Sequence, residues 1–261
     1  MGAIIDAFFY NTNYLVLLMF RVGGLVYSSP IFGRVNIPGR AKISLVLALC
    51  GLFFFVFPQP DPVVYPTLMS FVIVCAGELL LGITLAFITN MFFTLMFTAG
   101  QLIDMQIGFG IVNVFDIQNN TQVPMMGNFL NVLLLMVFFA VNGHLRLIET
   151  VYLTIERMPI GTLMFAPEIG LLAFEVFSRA FLLGVMISLP VVASGLILQI
   201  ALGVTMRMVP QIHMFVVGIP IKMILGLVVF MTTLPVFVHF SDVVFSEMWT
   251  SMERMFSMFV G

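Results

Sequence analysis

From Val63 to Ile103 the chain passes through 41 positions with one charged side chain, Glu78. That stretch constrains the fold more than any other. A helix rises about 1.5 Å per residue, so the stretch would reach about 60 Å, twice the ~30 Å hydrocarbon core of a bilayer. No proline lies between Pro66 and Pro124 to interrupt it. Two arrangements satisfy it: a fold-back near Gly77 or Gly82, or one long helix that continues beyond the bilayer into a protein complex.

The rest of the chain is of the same kind. Only 8% of its 261 residues are charged, against about 25% in an ordinary soluble domain. Apolar residues make up 61%, with 29 Phe and 21 Met. Such a chain cannot cover a water-facing surface, which excludes a soluble enzyme, a disordered chain and a disulfide scaffold. The net charge of −2 gives no basic field for nucleic acid, and ten scattered cations make no polybasic lipid patch. Cys50 and Cys75 lie in apolar runs and read as small hydrophobes; nothing supports a disulfide between them. The N-terminus has no basic segment or cleavage site, and Arg21 interrupts its first apolar run, so the chain is expected to keep it.

Further apolar runs cover Tyr14 to Pro30, Ile43 to Phe57, Pro124 to Val141, Ala180 to Met206 and Met223 to Phe240. The expected fold class is therefore all-α, a polytopic integral membrane protein. Arg34, Arg40 and Lys42 fill the first connection, whereas the next carries only Asp61. The positive-inside rule puts the first connection and the Arg207 to Lys222 turn in the cytoplasm, with both termini outside. The basic residues Arg146, Arg157 and Arg179 on a nominally outer segment pull against that assignment. From Ser241 to Gly261, Phe245, Met248, Trp249, Met252, Met255, Phe256 and Phe259 follow helical spacing. This amphipathic tail is expected either to lie at the membrane interface or to dock on a partner.

No catalytic constellation is present in the sequence. Val192-Ala193-Ser194-Gly195 lacks the leading glycine of a nucleophile loop, and His144 has no second histidine at zinc-protease spacing. His213 and His239 lie 26 residues apart, with no cysteine or second histidine at ligand spacing. No enzyme activity, cofactor or metal is expected.

Ionisable groups inside apolar runs are more informative, because each costs roughly 2.5–3.5 kcal/mol at a helix centre on insertion scales. Arg21, Glu78, Asp104 and Lys222 qualify. Arg21 and Lys222 are expected to snorkel or to pair inside the protein. Glu78, flanked by apolar residues on both sides, faces the interior of an assembly or is neutral. Beyond it, Gly100-Gln101-Leu102-Ile103-Asp104-Met105-Gln106-Ile107-Gly108-Phe109-Gly110 leads an apolar helix into amides, glycines and a polar loop, Asp116 to Gln122. Irregular backbone at membrane depth is tolerated where it meets protein or lines a wet cavity. Either this loop, with Phe109, Val114 and Phe115, occludes a path, or it is an exposed connection.

With these residues in view, the chain resembles the FliR family of flagellar export-gate proteins, shared with the SpaR, YscT and HrcT proteins of type III secretion injectisomes. The likeness rests on Pro30 and Pro38, Gly77-Glu78-Leu79-Leu80-Leu81-Gly82, Gly100-Gln101, Asp104, Gln106-Ile107-Gly108, Pro124, Asn142-Gly143-His144, Pro159, Pro190 and Gly203. Arg207-Met208-Val209-Pro210-Gln211 and Gly218-Ile219-Pro220-Ile221-Lys222 complete it. The resemblance implies a FliP-like part at residues 1–179 with a plug loop at about 106–123, a FliQ-like hairpin at 180–240 and a C-terminal amphipathic helix at 241–261. It implies FliP-like and FliQ-like partner subunits, with a FlhB-like subunit docking near Arg207, Pro210, Gln211 and Lys222, and FlhA nearby. Unfolded export substrates would pass a pore closed by Gly108, Phe109, Gly110, Val114 and Phe115, with Glu78, Gln101, Asp104 and Gln106 as structural polar groups. The polar run Gln118 to Gln122 stands where relatives carry an Asp-Pro pair, which blurs the loop's edges.

Two other classes remain as alternatives. A stand-alone secondary transporter would use Glu78, Asp104 and Lys222 as its ion path, but the Gly77–Gly82 stretch has no repeat in the second half. An intramembrane hydrolase would depend on Ser194 or His144.

Overall fold

Proline and glycine set the ends of the helices. In the computed structural model, which describes residues 2–57, 67–109, 124–161, 169–208 and 217–260, these helices are α1 (Gly2–Ser28), α2 (Gly39–Val56), α3 (Leu68–Ile107), α4 (Met125–Ala140), α5 (Gly143–Arg157), α6 (Ile169–Met208) and α7 (Ile219–Val260). Pro38 precedes α2 with φ −60°, the value a first-turn proline fixes. Thr67 and Ser70 cap α3 reciprocally: the Ser70 N–H donates to Thr67 Oγ1 at 3.2 Å and the Thr67 N–H to Ser70 Oγ at 3.3 Å. At its other end Gly108 takes φ +101°, a conformation open to glycine and strained for other residues. From Leu68 to Ile107 the long apolar stretch is thus a single helix, with no fold-back at Gly77 or Gly82. Among the described residues there is no strand.

Among the described residues, four helices are long and apolar enough to cross a membrane: Gly39–Val56, Leu68–Ile107, Gly170–Met208 and Ile219–Met258. The pair α4 and α5, bent by 69° at their junction, would make a fifth. The bend falls at Asn142, which adopts the left-handed conformation at φ 57°.

The chain divides into two compact units. Unit 1 comprises Met1–Met91, Phe139–Val176 and Met248–Gly261. Its core gathers Leu18, Val22 and Leu25 of α1, Phe53 of α2, Leu85 of α3 and Val151 of α5, all buried. The amphipathic tail also ends here. Met248, Trp249, Met252, Met255 and Phe256 are buried within the chain, with the Arg146 guanidinium 4.7 Å over the Trp249 ring and that of Arg157 5.5 Å over Phe256. That face therefore has its cover in this polypeptide, before any lipid or partner is considered.

Unit 2 comprises Phe92–Phe138 and Phe177–Glu247. Phe138 is fully buried, with its ring 5.6 Å from that of Phe93 and 5.4 Å from that of Phe245. Here α6 and α7 run antiparallel, as the contacts Arg179 to Glu247 and Gln199 to Lys222 show. Pro190 and Pro235 lie inside these helices, and each removes one backbone hydrogen bond. An apolar cavity of about 70 Å³ beside Pro190 is lined by Met186, Phe230 and Phe237.

Much apolar surface stays uncovered. Only 17% of α2 and 28% of an 18-residue apolar window of α6 is buried. Phe55, Phe174, Phe177, Phe181, Ile197 and Ile200 are exposed. Side chains this apolar need lipid or protein around them.

Candidate functional site

In unit 1 the long helix carries Glu78 against Arg21 of α1. Both side chains are fully buried, and Arg21 Nε donates to Glu78 Oε2 at 2.5 Å. Arg21 Nη1 also donates to the carbonyls of Thr154 at 3.0 Å and Met158 at 2.9 Å. Those carbonyls belong to the C-terminal end of α5, where the helix dipole presents partial negative charge and a cation is favoured. The second carboxylate oxygen, Glu78 Oε1, accepts the Gly161 N–H at 2.8 Å. Gly161 has φ +88°, so a glycine is required where the chain turns to meet the carboxylate. Four segments therefore converge on one ion pair. Arg21 Nη2 has no hydrogen-bond partner among the described residues.

The register of this pair comes from two glycines. A Cβ on Gly82 would fall 2.2 Å from the Arg21 carbonyl oxygen, and one on Gly24 would fall 2.7 Å from that of Leu79. The backbones of α1 and α3 touch here because neither glycine has a side chain. Arg21 and Glu78 lie one turn away along their helices and so face each other. Glu78, expected in the interior of an assembly or neutral, instead finds its counter-ion within its own chain, and Arg21 is paired rather than snorkelling.

Unit 2 holds the end of the same helix. Asp104 is almost fully buried, and both its carboxylate oxygens accept the Met126 N–H, at 3.3 and 3.4 Å. Met126 lies in the first turn of α4, where backbone donors lack helical acceptors. One turn earlier, a Cβ on Gly100 would overlap Gly127, 2.0 Å from its nitrogen and 2.1 Å from its Cα. Gln106 lies over Gly195 of α6 and donates to the Val192 carbonyl at 3.3 Å. The Lys222 ammonium approaches Gln106 Oε1 at 3.5 Å and Gln199 Oε1 at 3.4 Å. Gln106 and Lys222, read from the sequence as belonging to different regions, are thus neighbours. Gln101 and Arg207 are exposed.

Gly108 and Phe109 are placed at the end of α3, whereas Gly110, Val114, Phe115, Pro210 and Gln211 lie outside the described residues. The three residues of a transporter path have separate partners: Glu78 has Arg21, Asp104 has Met126, and Lys222 has two amides. Ser194, the hydrolase candidate, donates to the Val191 carbonyl of its own helix at 2.9 Å, and the His144 ring lies 5.0 Å from that of Phe139. Sequence reasoning missed Gly24, Gly127, Gln199 and the α5 carbonyls. Only the glycines left a trace, as small residues in apolar runs; a carbonyl leaves none.

This architecture defines an all-helical polytopic membrane protein whose intramembrane charges are held by its own helices. The chain belongs to the family of bacterial export proteins, family 1, whose model matches residues 12–248. It is 29% identical over 222 residues to the flagellar biosynthetic protein FliR of Bacillus subtilis (strain 168), covering 83% of each chain. It is 30% identical over 199 residues to FliR of Escherichia coli (strain K12), covering 76% of each. To FliR of Aquifex aeolicus (strain VF5) it is 29% identical over 206 residues, covering 78% of each.

Proposed function

We propose that this protein is a non-enzymatic component of a flagellar type III export gate in the bacterial inner membrane, and that it forms part of the wall through which unfolded flagellar proteins pass. The observation that carries this reading is the contrast between its two kinds of surface. The charges inside the apolar helices are held within the chain, as Arg21 and Glu78 are. The flanks of α2 and α6, by contrast, stay largely bare and apolar. A subunit whose buried charges are satisfied within the chain and whose flanks are apolar suits burial against sister subunits as well as lipid. The resemblance to FliR proteins supplies the rest. Residues 1–179 would act as a FliP-like part, 180–240 as a FliQ-like hairpin and 241–261 as a C-terminal helix, beside FliP-like and FliQ-like subunits. A FlhB-like subunit would dock at Arg207, Pro210, Gln211 and Lys222, with FlhA nearby and both termini on the periplasmic side.

The connection at about 106–123, with Gly108, Phe109, Gly110, Val114 and Phe115, would be the plug that seals the pore at rest. Its support is the glycine at φ +101° that ends α3, because such a position permits a sharp departure from the helix. The test deletes residues 109–115 and measures ion leakage across inner-membrane vesicles that carry the assembled gate. Leakage is expected; an unchanged barrier in a normally assembled gate removes the plug role.

A further inference from the structure

The last turns of α3 and the first turn of α4 are tied together by a side-chain hydrogen bond and a backbone contact. Asp104 and Met126 are 22 residues apart in sequence, yet the carboxylate of one accepts the amide of the other. A buried carboxylate on the first turn of a helix satisfies orphan N–H groups and meets the positive end of the dipole. One turn back, Gly100 and Gly127 touch backbone to backbone. At the far end of α3, Ile107 packs against Gly226 of α7, where an added Cβ would lie 2.9 Å from Ile107 Cγ1. The end of α3 is therefore fixed by α7, and the start of α4 is tied back to α3 by one side-chain cap and one glycine contact. Both ends of the connection from Phe109 to Pro124 are thereby set by α3.

We propose that Asp104 is a positioning residue: its carboxylate latches the first turn of α4 to α3 and so fixes the base from which the 109–124 connection springs. The proposal rests on the plug reading for its consequence and on described residues for its geometry. A closed base holds the two ends of the connection in one register. Without the carboxylate, the Met126 N–H is left to a buried, dry environment and the first turn of α4 frays. Neutral asparagine keeps an acceptor oxygen at the same position, so it retains part of the latch.

The experiment compares Asp104→Ala and Asp104→Asn in the co-expressed, assembled gate, with and without residues 109–115. It reads gate yield, ion leakage in inner-membrane vesicles and hydrogen exchange of the amides at 125–128. Asp104→Ala is expected to speed that exchange about tenfold, in line with the loss of a helix cap, and to raise leakage at unchanged yield. Asp104→Asn is expected to show a clearly smaller rise in exchange. In the gate lacking 109–115, Asp104→Ala is expected to add no further leakage. Unchanged exchange in the alanine variant overturns the latch, as does an equal added leak in the deleted gate. If the alanine variant fails to assemble, the asparagine variant decides: a rise in exchange confined to 125–128 supports the proposal, and no rise overturns it. Failure of the plug reading shows separately, as a deletion that does not leak, while exchange still reports on Asp104.

Discussion

Arg21 on α1 and Glu78 on α3 form a fully buried ion pair, with Nε and Oε2 2.5 Å apart, and the pair also gathers the Thr154 and Met158 carbonyls and the Gly161 N–H. Removing one partner of such a pair leaves an uncompensated charge and typically costs about 3–5 kcal/mol. Arg21→Leu and Glu78→Leu are each expected to lower the thermal stability and yield of the assembled protein sharply. The double variant Arg21→Leu with Glu78→Leu is expected to recover much of that loss, though not all, because Met158 O and Gly161 N lose these partners. A double-mutant cycle on unfolding temperature measures the coupling; strictly additive losses would contradict a paired charge. Arg21→Lys should rescue poorly, since an ammonium cannot reproduce the guanidinium fork.

Gly23 and Gly24 are neighbours with opposite surroundings. A Cβ on Gly23 meets nothing within 4 Å, whereas one on Gly24 lies 2.7 Å from a backbone oxygen. Gly23→Ala is expected to be neutral or to stabilise by up to about 1 kcal/mol through helix propensity. Gly24→Ala and Gly82→Ala force α1 and α3 apart at a backbone contact that cannot yield, and are expected to cost about 1–3 kcal/mol or more. Thermal unfolding of the three variants in one detergent separates them; similar behaviour of Gly23→Ala and Gly24→Ala would deny the close approach.

The same contrast recurs in unit 2. Gly100→Ala places a methyl on the Gly127 backbone, whereas Gly203→Ala meets open space. The first is expected to disrupt the seating of α4 and reduce assembled protein severely. The second is expected to leave assembly at the wild-type level. Quantifying assembled gate by blue native electrophoresis checks both.

Asn142 sits at the 69° break between α4 and α5 with φ 57°. Asparagine tolerates that conformation, glycine adopts it freely, and a β-branched residue resists it. Asn142→Gly is expected to stay within about 1 kcal/mol of the parent, and Asn142→Val to lose about 1–3 kcal/mol. Equal stability of the two variants in chemical denaturation would show that the left-handed turn does not matter.

The membrane class and the all-helical fold were legible in the sequence, because they follow from local quantities: how many apolar residues run together, and where prolines and glycines stop them; those quantities left open whether the long apolar stretch folds back or runs on as the single helix α3. The importance of Glu78 and Asp104 was legible as well, since a charge in an apolar run needs a partner whatever the fold. The partner's identity was not. Arg21 precedes Glu78 by 57 residues, and Thr154, Met158 and Gly161 follow far behind. Only the packing of α1 on α3 through Gly24 and Gly82 aligns them. The tail shows the same division. Helical periodicity from Phe245 to Phe256 announced an apolar face, but periodicity cannot say what covers a face, and the fold buries that one within the chain itself. Local chemistry thus determined which groups needed satisfaction, and tertiary structure decided which atoms satisfied them, because hydrogen bonds and close packing act over a few ångströms between residues that the sequence keeps far apart.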